Sequence, residues 1–237
     1  EIGIRPGDLL VSINGHPLRD VIDYQFYGAE EELELHIRRG NRVHRVQVER
    51  GYEEDLGLRF TEPLFDGLRE CVNRCPFCFV AQMPRGLRRS LYVRDDDYRL
   101  SFLQGTFVTL TNLEEDDWQR IGEQHLSPLY VSIHATDLRV RRALLGNPHA
   151  PDIMAQLRRL ERINITVHGQ IVIVPGQNDG AILEQTVRSL LNLWPTVQSL
   201  AVVPVGLTRL CREPLRTLTP AEATDVLALV GQLEPDI

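Results

Sequence analysis

The sequence predicts an α/β protein with a small β-rich unit at its N-terminal end. Residues 1 to about 50 alternate apolar and polar positions in short runs, which is typical of half-buried strands. From about residue 64, apolar runs are separated by stretches with helical spacing, the pattern of βα units. We therefore predict a small β domain over residues 1–50, a connector over 51–63, and a parallel sheet or incomplete barrel over 64–237.

The N-terminal 50 residues contain three candidate strands. They are residues 8–13, 33–37 and 43–48. The last two flank a polar, Arg-rich stretch at 38–42, so we predict a β-hairpin there. Asn14 and Gly15 supply a tight turn after the first strand, because both residue types tolerate the backbone angles that such turns need.

The second part of the chain alternates candidate strands and helices. The candidate strands are residues 64–69, 106–110, 129–133, 170–174 and 199–203. Helical spacing of apolar residues is clearest over 153–160 and 183–194. Thr219, Pro220 and Glu222 form a capping-box sequence with proline at the first helical position, so a last helix should begin there. In parallel βα repeats the chemistry lies at the carboxyl ends of the strands.

The charged side chains exclude several functions. The 237 residues carry 26 basic and 33 acidic side chains, a net charge of −7, and every basic residue is Arg. Without Lys, Schiff-base aldolases, pyridoxal enzymes and P-loop nucleotidases are excluded. The acidic balance argues against nucleic-acid binding by bulk electrostatics. No apolar run reaches the length of about 18 residues that a membrane span needs, so no membrane partner is expected.

Both ends of the sequence have the pattern of a domain interior. The chain starts at Glu1 without an initiating Met or a signal-peptide pattern, and it stops at Ile237 just past a helical stretch. We therefore expect a fragment that is truncated at both ends.

Three of the four cysteines lie close together. Cys71, Cys75 and Cys78 fall within eight positions, directly after a candidate strand. A disulfide framework would spread its cysteines along the chain, so the spacing favours a reduced, cytoplasmic protein with a metal or cluster. Structural zinc sites and ferredoxin clusters use four ligands. Either Cys211 completes an electron-transfer or structural metal site, or three cysteines hold a cluster with one open iron.

The loop over residues 71–78, with Phe77 just before its third cysteine, resembles the three-cysteine loop of the radical SAM superfamily. Residues 129–136 and 170–179 resemble later strands of the barrel in that superfamily. The resemblance implies a radical SAM oxidoreductase or transferase, in which the three cysteines hold a 4Fe-4S cluster whose open iron binds S-adenosylmethionine. An electron from the cluster then cleaves this cofactor to a 5′-deoxyadenosyl radical, which abstracts hydrogen from an unknown substrate. An electron donor such as flavodoxin or ferredoxin is an implied partner.

The N-terminal unit resembles a PDZ domain over about 50 residues, most specifically at residues 3–15. This resemblance implies binding of a peptide or protein at a sheet edge. The strand and carboxylate-binding loop for that role would precede Glu1, so we expect an incomplete peptide site; a peptide-binding scaffold stays an alternative function. The two resemblances together imply a PDZ-fused radical SAM subgroup: a small N-terminal PDZ-like β domain, a partial (β/α) radical SAM-type barrel, and a C-terminal domain of unknown function that is mostly absent.

Seven residues are candidates for contact with S-adenosylmethionine. They are Phe77, Thr111, Asn112, Ser132, His134, Gly176 and Asn178. Many radical SAM proteins hold the methionyl amine with a Gly-Gly-Glu-Pro turn after the second strand; here Thr111 and Asn112 substitute for it, or the strand is a different one. Ser132 and His134 share one side of a strand, where a ribose contact or a polar rim would fit, and His134 is the first candidate for proton transfer. Gly176 and Asn178 either approach the adenosyl group or form a turn at the end of a strand. Catalytic residues stay unassigned.

Five arginines follow the cysteine loop and are interrupted by three carboxylates at 95–97. The arginines are Arg85, Arg88, Arg89, Arg94 and Arg99. Guanidinium groups could clamp a carboxylate or phosphate, but we expect a solvated face of mixed charge. Adjacent carboxylates also suggest a divalent cation, although three in a row cannot all face one ion on a regular element. His168 is expected in the core, and Cys211 is expected as a buried thiol if it is not a ligand.

Overall fold

The computed structural model describes residues 3–51 and 54–233, and the chain divides into two compact units. The units are Glu1–Leu68 and Arg69–Ile237, and each contains its own sheet. Two positions of the predicted connector, 52–53, and the ends of the chain, 1–2 and 234–237, lie outside the described residues.

The first unit is a four-stranded antiparallel sheet with one helix. Its elements are β1 (Leu9–Ile13), β2 (His16–Pro17), α1 (Val21–Tyr27), β3 (Glu32–Arg39) and β4 (Arg42–Glu49). The strand order is β2-β1-β3-β4, and the hairpin predicted near residue 40 is β3–β4. Asn14 and Gly15 form the predicted turn with positive φ angles of 50° and 83°, as a two-residue turn between antiparallel strands prefers.

One face of this sheet supplies the core of the first unit. The buried side chains are Ile13, Leu33, Leu35, Ile37 and Val48. Three of them alternate along β3, which is the two-residue period of a strand with one buried face. Asp20 caps the N-terminus of helix α1: its carboxylate accepts hydrogen bonds from the backbone N–H groups of Ile22 and Asp23, both at 3.0 Å.

The second unit contains a three-stranded parallel sheet with helices between its strands. Its elements are α2 (Tyr98–Gln104), α3 (Glu115–Glu123), β5 (Leu129–Ser132), α4 (Leu138–Leu145), α5 (Ile153–Arg162), β6 (Val167–Ile173), α6 (Gly180–Leu191), β7 (Val197–Pro204) and α7 (Pro220–Leu233). The strand order is β5-β6-β7, which confirms the α/β class and three predicted strands. The capping box of α7 is also confirmed: Thr219 N donates to Glu222 Oε2 at 2.8 Å, and Glu222 N donates to Thr219 Oγ1 at 3.3 Å.

The strand predicted at residues 64–69 is wrong. Leu64 makes only an isolated antiparallel bridge with Asp20, and it belongs to the first unit. Pro63 lacks the N–H group that a ladder needs, and Gly67 has a φ of 93°, so the backbone cannot continue as a strand.

The strand predicted at residues 106–110 is reduced to a single parallel bridge between Val108 and Val131. Val108 N donates to Tyr130 O at 2.9 Å, and Ser132 N donates to Val108 O at 2.8 Å. Leu110 has a φ of 59°, which turns the chain away from β5 directly after the bridge. This segment therefore lies beside β5 without extending the sheet.

His168 is the second residue of β6 and is not a core residue, contrary to the prediction. Buried and half-buried positions alternate along β6, and His168 falls on the less buried face. Its Nδ1 and Ser199 Oγ share a 2.7 Å hydrogen bond. Within the described residues, no helix is both long enough and apolar enough to cross a membrane.

Candidate functional site

The three-cysteine loop begins after an antiparallel bridge between Glu70 and Asp95. Cys71 N donates to Arg94 O at 2.7 Å, and Cys78 N donates to Cys75 O at 3.0 Å, so the loop has its own turn. A three-residue 3₁₀ helix, Val80–Gln82, follows directly. All four cysteines of the chain are free and partly buried.

Two thiols of this loop, Cys71 and Cys75, have raised pKa values. The pKa of Cys75 is raised to about 12, mainly by burial and then by the neighbouring Cys71 and Cys78. Burial also raises the pKa of Cys71, with a contribution from the nearby carboxylate of Asp96. Negative charge on the sulfurs is thus unfavourable without a cation close by.

Thiolate sulfur is the ligand that iron–sulfur clusters use, so the donor set fits such a cluster. In the part of the chain that the structure describes, no three or more His, Cys, Asp or Glu side chains are arranged to hold a metal ion. The fit therefore rests on donor chemistry and on the placement of three free cysteines on one loop. Cys211 lies in another segment, where its Sγ donates to Glu213 O at 3.8 Å.

Asn73 ties the loop to the rest of the second unit, and sequence analysis did not single it out. Its side chain is fully buried. Its Nδ2 donates to Cys71 Sγ at 3.4 Å, Thr109 Oγ1 at 2.9 Å and Thr111 Oγ1 at 2.8 Å. Asn147 Nδ2 donates to its Oδ1 at 2.9 Å, which fixes the orientation of the amide. Its position between two cysteines of the motif is the only sequence signal for this role.

A buried carboxylate lies beside this tether. Asp96 accepts from Thr109 N at 2.6 Å and from Thr109 Oγ1 at 2.5 Å, and burial raises its pKa. Asn112 Nδ2 donates to Asp96 O at 3.0 Å. The other end of that amide, Asn112 Oδ1, is buried and has no hydrogen-bond partner among the residues described here. A buried acceptor left unpaired costs about 1–3 kcal/mol, so this oxygen is available to a donor from a ligand.

The solvated face predicted around residues 95–97 is wrong in part. Asp96, Asp97 and Arg99 are buried, whereas Arg85, Arg88 and Arg89 are exposed. The Asp97 carboxylate caps the N-terminus of helix α2 and forms an ion pair with Arg99 at 2.7 Å. Arg69 N also donates to it at 3.0 Å. These carboxylates stabilise local structure because protein donors occupy their oxygens.

His134 and Phe77, both candidates from the sequence, are in contact. Their rings meet edge to face with centroids 5.2 Å apart. His134 lies two residues after the end of β5 and has a φ of 63°, and Val172 N donates to its Nδ1 at 3.3 Å. Burial lowers the pKa of His134 to about 3, with a further contribution from the Arg141 guanidinium. The imidazole is therefore neutral at physiological pH.

The remaining candidates differ in their surroundings. Asn178 is fully buried, and its amide bonds only backbone groups: it donates to His134 O and Val172 O, both at 2.9 Å, and accepts from Val174 N at 2.8 Å. Asn178 thus holds the backbone of His134 in place. Ser132 is buried at the end of β5, and Gly176 lies in an exposed turn with a φ of 76°.

Gln82 is a second residue that sequence analysis missed. It is buried at the end of the 3₁₀ helix, and its Nε2 donates to Phe77 O at 3.3 Å and Gly206 O at 3.4 Å. Thr208 N donates to its Oε1 at 2.7 Å. Gln82 therefore links the cysteine loop to the segment after β7, more than 120 residues away. A lone Gln carries no sequence signal for such a link.

Comparisons with known proteins agree with the cysteine motif. The radical SAM-like domain family matches residues 50–200, which is more than half of the chain. The PDZ domain family matches residues 1–39. No curated protein matches the sequence.

Two solved structures are among those similar to the chain. A domain of pyruvate-formate lyase-activating enzyme from Bacteroides vulgatus is 15% identical, with 55% of this chain and 78% of that chain covered and a TM-score of 0.42. A radical SAM methyltransferase from Sphaerobacter thermophilus is 18% identical, with 53% and 37% covered and a TM-score of 0.37. From the family match over residues 50–200, the chain belongs to the radical SAM-like domain family.

Proposed function

We propose that the chain is a radical SAM enzyme in which Cys71, Cys75 and Cys78 hold a 4Fe-4S cluster with an open position for S-adenosylmethionine. When bound, such a cluster supplies the electron that cleaves S-adenosylmethionine reductively and starts radical chemistry on a substrate. The observation that carries the proposal is the presence of three free cysteines on one loop of a chain that belongs to the radical SAM-like domain family. The substrate, and with it the choice between oxidoreductase and transferase, is unknown.

The residues near the loop have the chemistry that this cofactor needs. Asn112 Oδ1 is a buried acceptor with no partner in the described part of the chain, which suits the methionyl ammonium group. Thr111 lies beside it in sequence and is bonded to Asn73. Phe77, whose ring packs edge to face on buried His134, offers a partly exposed apolar surface for a purine ring. Because His134 is neutral, it does not repel the sulfonium charge.

The other candidates have supporting or peripheral roles in this proposal. Asn178 positions His134 through its backbone hydrogen bonds, and Ser132, at the end of β5, is the proposed ribose contact. Gly176 lies in an open turn where a backbone could approach a ligand.

The proposal extends to the organisation of the chain. We infer that residues 1–50 form a PDZ-like domain, 51–63 a connector, and 64–237 part of a radical SAM-type (β/α) barrel to which β5, β6 and β7 belong. A peptide or protein bound by the PDZ-like domain and an electron donor such as flavodoxin or ferredoxin are the proposed partners. The free cysteines are typical of a reducing compartment, so we propose a cytoplasmic location.

Anaerobic reconstitution tests the cluster. About four irons per chain are expected, and Cys71→Ala, Cys75→Ala or Cys78→Ala should each abolish the cluster, while Cys211→Ala serves as the matched control and should retain it. Loss of iron in Cys211→Ala would instead indicate a closed four-cysteine site. With S-adenosylmethionine and a strong reductant, the loaded protein should release 5′-deoxyadenosine and the Cys75→Ala protein none. A fully loaded protein that releases none would exclude reductive cleavage.

A further inference from the structure

A cleft of about 410 Å³ lies in the second unit, beside the segment that follows the three-cysteine loop. Its lining residues are Ala81, Met83, Pro84, Arg85, Leu210 and Arg212. The first four belong to one stretch of chain, which begins three residues after Cys78, and the last two belong to the segment after β7. Two distant parts of the sequence therefore form the two walls.

The lining combines positive charge with apolar surface. Arg85 and Arg212 each contribute a guanidinium group from opposite walls, and the other four lining residues are apolar. None of the lining residues is acidic, and in the described ranges neither arginine has an ion-pair or hydrogen-bond partner on its guanidinium. Both guanidinium groups are therefore available to an anionic ligand.

Hydrogen bonds hold both walls in place. Buried Gln82 sits within the first wall and bonds Gly206 and Thr208, which lead into the second wall. Tyr92 stabilises the loop of the first wall: its hydroxyl accepts a hydrogen bond from Leu87 N at 2.9 Å and donates one to Pro84 O at 2.5 Å. The backbone of both walls is therefore held in place before any ligand arrives, which lowers the entropic cost of binding.

We propose that this cleft binds a small amphipathic acid, a molecule that carries a carboxylate or a phosphate on an apolar body. The two guanidinium groups would bind the anionic group in charge-assisted hydrogen bonds, and the apolar side chains of Met83 and Leu210 would contact the body. The site is separate from the residues assigned above to the cluster and to S-adenosylmethionine, so this proposal stands without them.

Calorimetric titration of the cluster-free protein tests the site with three probes. 4-Phenylbutyrate and phenyl phosphate carry the two anionic groups, and 4-phenylbutanol is the neutral control. Both acids should bind and the alcohol should not, and the tighter of the two identifies the preferred group. Added salt should weaken binding, because the guanidinium groups are exposed.

Variants locate the binding. Arg85→Gln and Arg212→Gln should each weaken binding of the preferred acid about tenfold, as loss of a charged hydrogen bond does. Arg139→Gln is the matched control, since Arg139 is also exposed but lies on α4 and is not among the lining residues, and this variant should bind like the parent protein. Absence of binding by both acids, equal binding of the alcohol, or equal weakening in Arg139→Gln would each overturn the proposal. Circular dichroism should show the same spectrum for all three variants.

Discussion

Replacing Asn73 by Ala should destabilise the second unit by about 3 kcal/mol. The side chain makes three conventional hydrogen bonds, to Thr109 Oγ1, to Thr111 Oγ1 and from Asn147 Nδ2, all between 2.8 and 2.9 Å. Each such bond contributes about 1 kcal/mol net when both partners are buried. The contact with Cys71 Sγ at 3.4 Å adds little to this sum, because a thiol sulfur is a weak acceptor.

Urea denaturation followed by tryptophan fluorescence measures this effect selectively. The chain has two Trp residues, Trp118 and Trp194, and both lie in the second unit, so the signal reports that unit alone. Asn192→Ala is the control, because Asn192 is exposed at the C-terminal end of α6, and its unfolding free energy should change by less than about 0.5 kcal/mol.

The same variant should also lose iron on reconstitution. Groups that bond a metal ligand typically change metal affinity about 10–100-fold when removed, and a lost N–H···S bond lowers the reduction potential of a cluster. A change of less than about 1 kcal/mol in Asn73→Ala, together with a full complement of iron, would refute the view that this amide holds the loop.

Two further predictions concern neighbouring residues. Gly146→Ala should destabilise the second unit by at least about 2 kcal/mol in the same assay, because a Cβ at this position, where φ is 55°, would lie 2.2 Å from Arg74 O. Gly206→Ala is the control and should be close to neutral, because nothing lies within 4 Å of its Cβ position. Equal effects of the two substitutions would contradict this explanation. His134 has a pKa of about 3 when folded against 6.5 as its ordinary value, so protons bind the unfolded chain preferentially and stability falls as the pH drops below 6.5. Between pH 7 and pH 5 the loss should be about 2 kcal/mol, and His134→Gln should remove that part of the pH dependence; an unchanged slope would show that His134 titrates normally.

Local patterns explain what the sequence predicts well. The β3–β4 hairpin, the Asn14-Gly15 turn and the capping box at Thr219 depend on residues that are neighbours in the chain, so their chemistry is visible in the sequence. The parallel strands β5 and β6 appear as apolar runs because all their residues are buried or half-buried. Strand β7 is predicted from its apolar run although four of its eight residues are exposed. The three cysteines likewise lie within eight positions of one another, so their motif can be read directly from the sequence.

The errors arise where a single residue or a distant partner decides the structure. Leu110 takes a positive φ that its type does not suggest, and it ends the predicted strand at 106–110. Asp96 looks like a solvated carboxylate in a charged run, yet hydrogen bonds from Thr109, 13 positions away, allow its burial. Asn73 and Gln82 bond partners 36 to 126 positions away. Such pairs become visible only when the fold brings the segments together.

The hydrogen bonds around the cysteine loop indicate how its position is determined. Cys71 N bonds Arg94 O, Arg74 N bonds Leu145 O at the end of α4, and Gln82 bonds Thr208 after β7. These anchors come from three parts of the second unit that are far apart in sequence. In small metal-folded domains the ion supplies the folding free energy and the loops follow it; here protein groups already fix both ends of the loop. Of these anchors only Gln82 acts through its side chain, so replacing Gln82, a position with no ligand atom, should affect cluster retention as substitutions of the cysteines do.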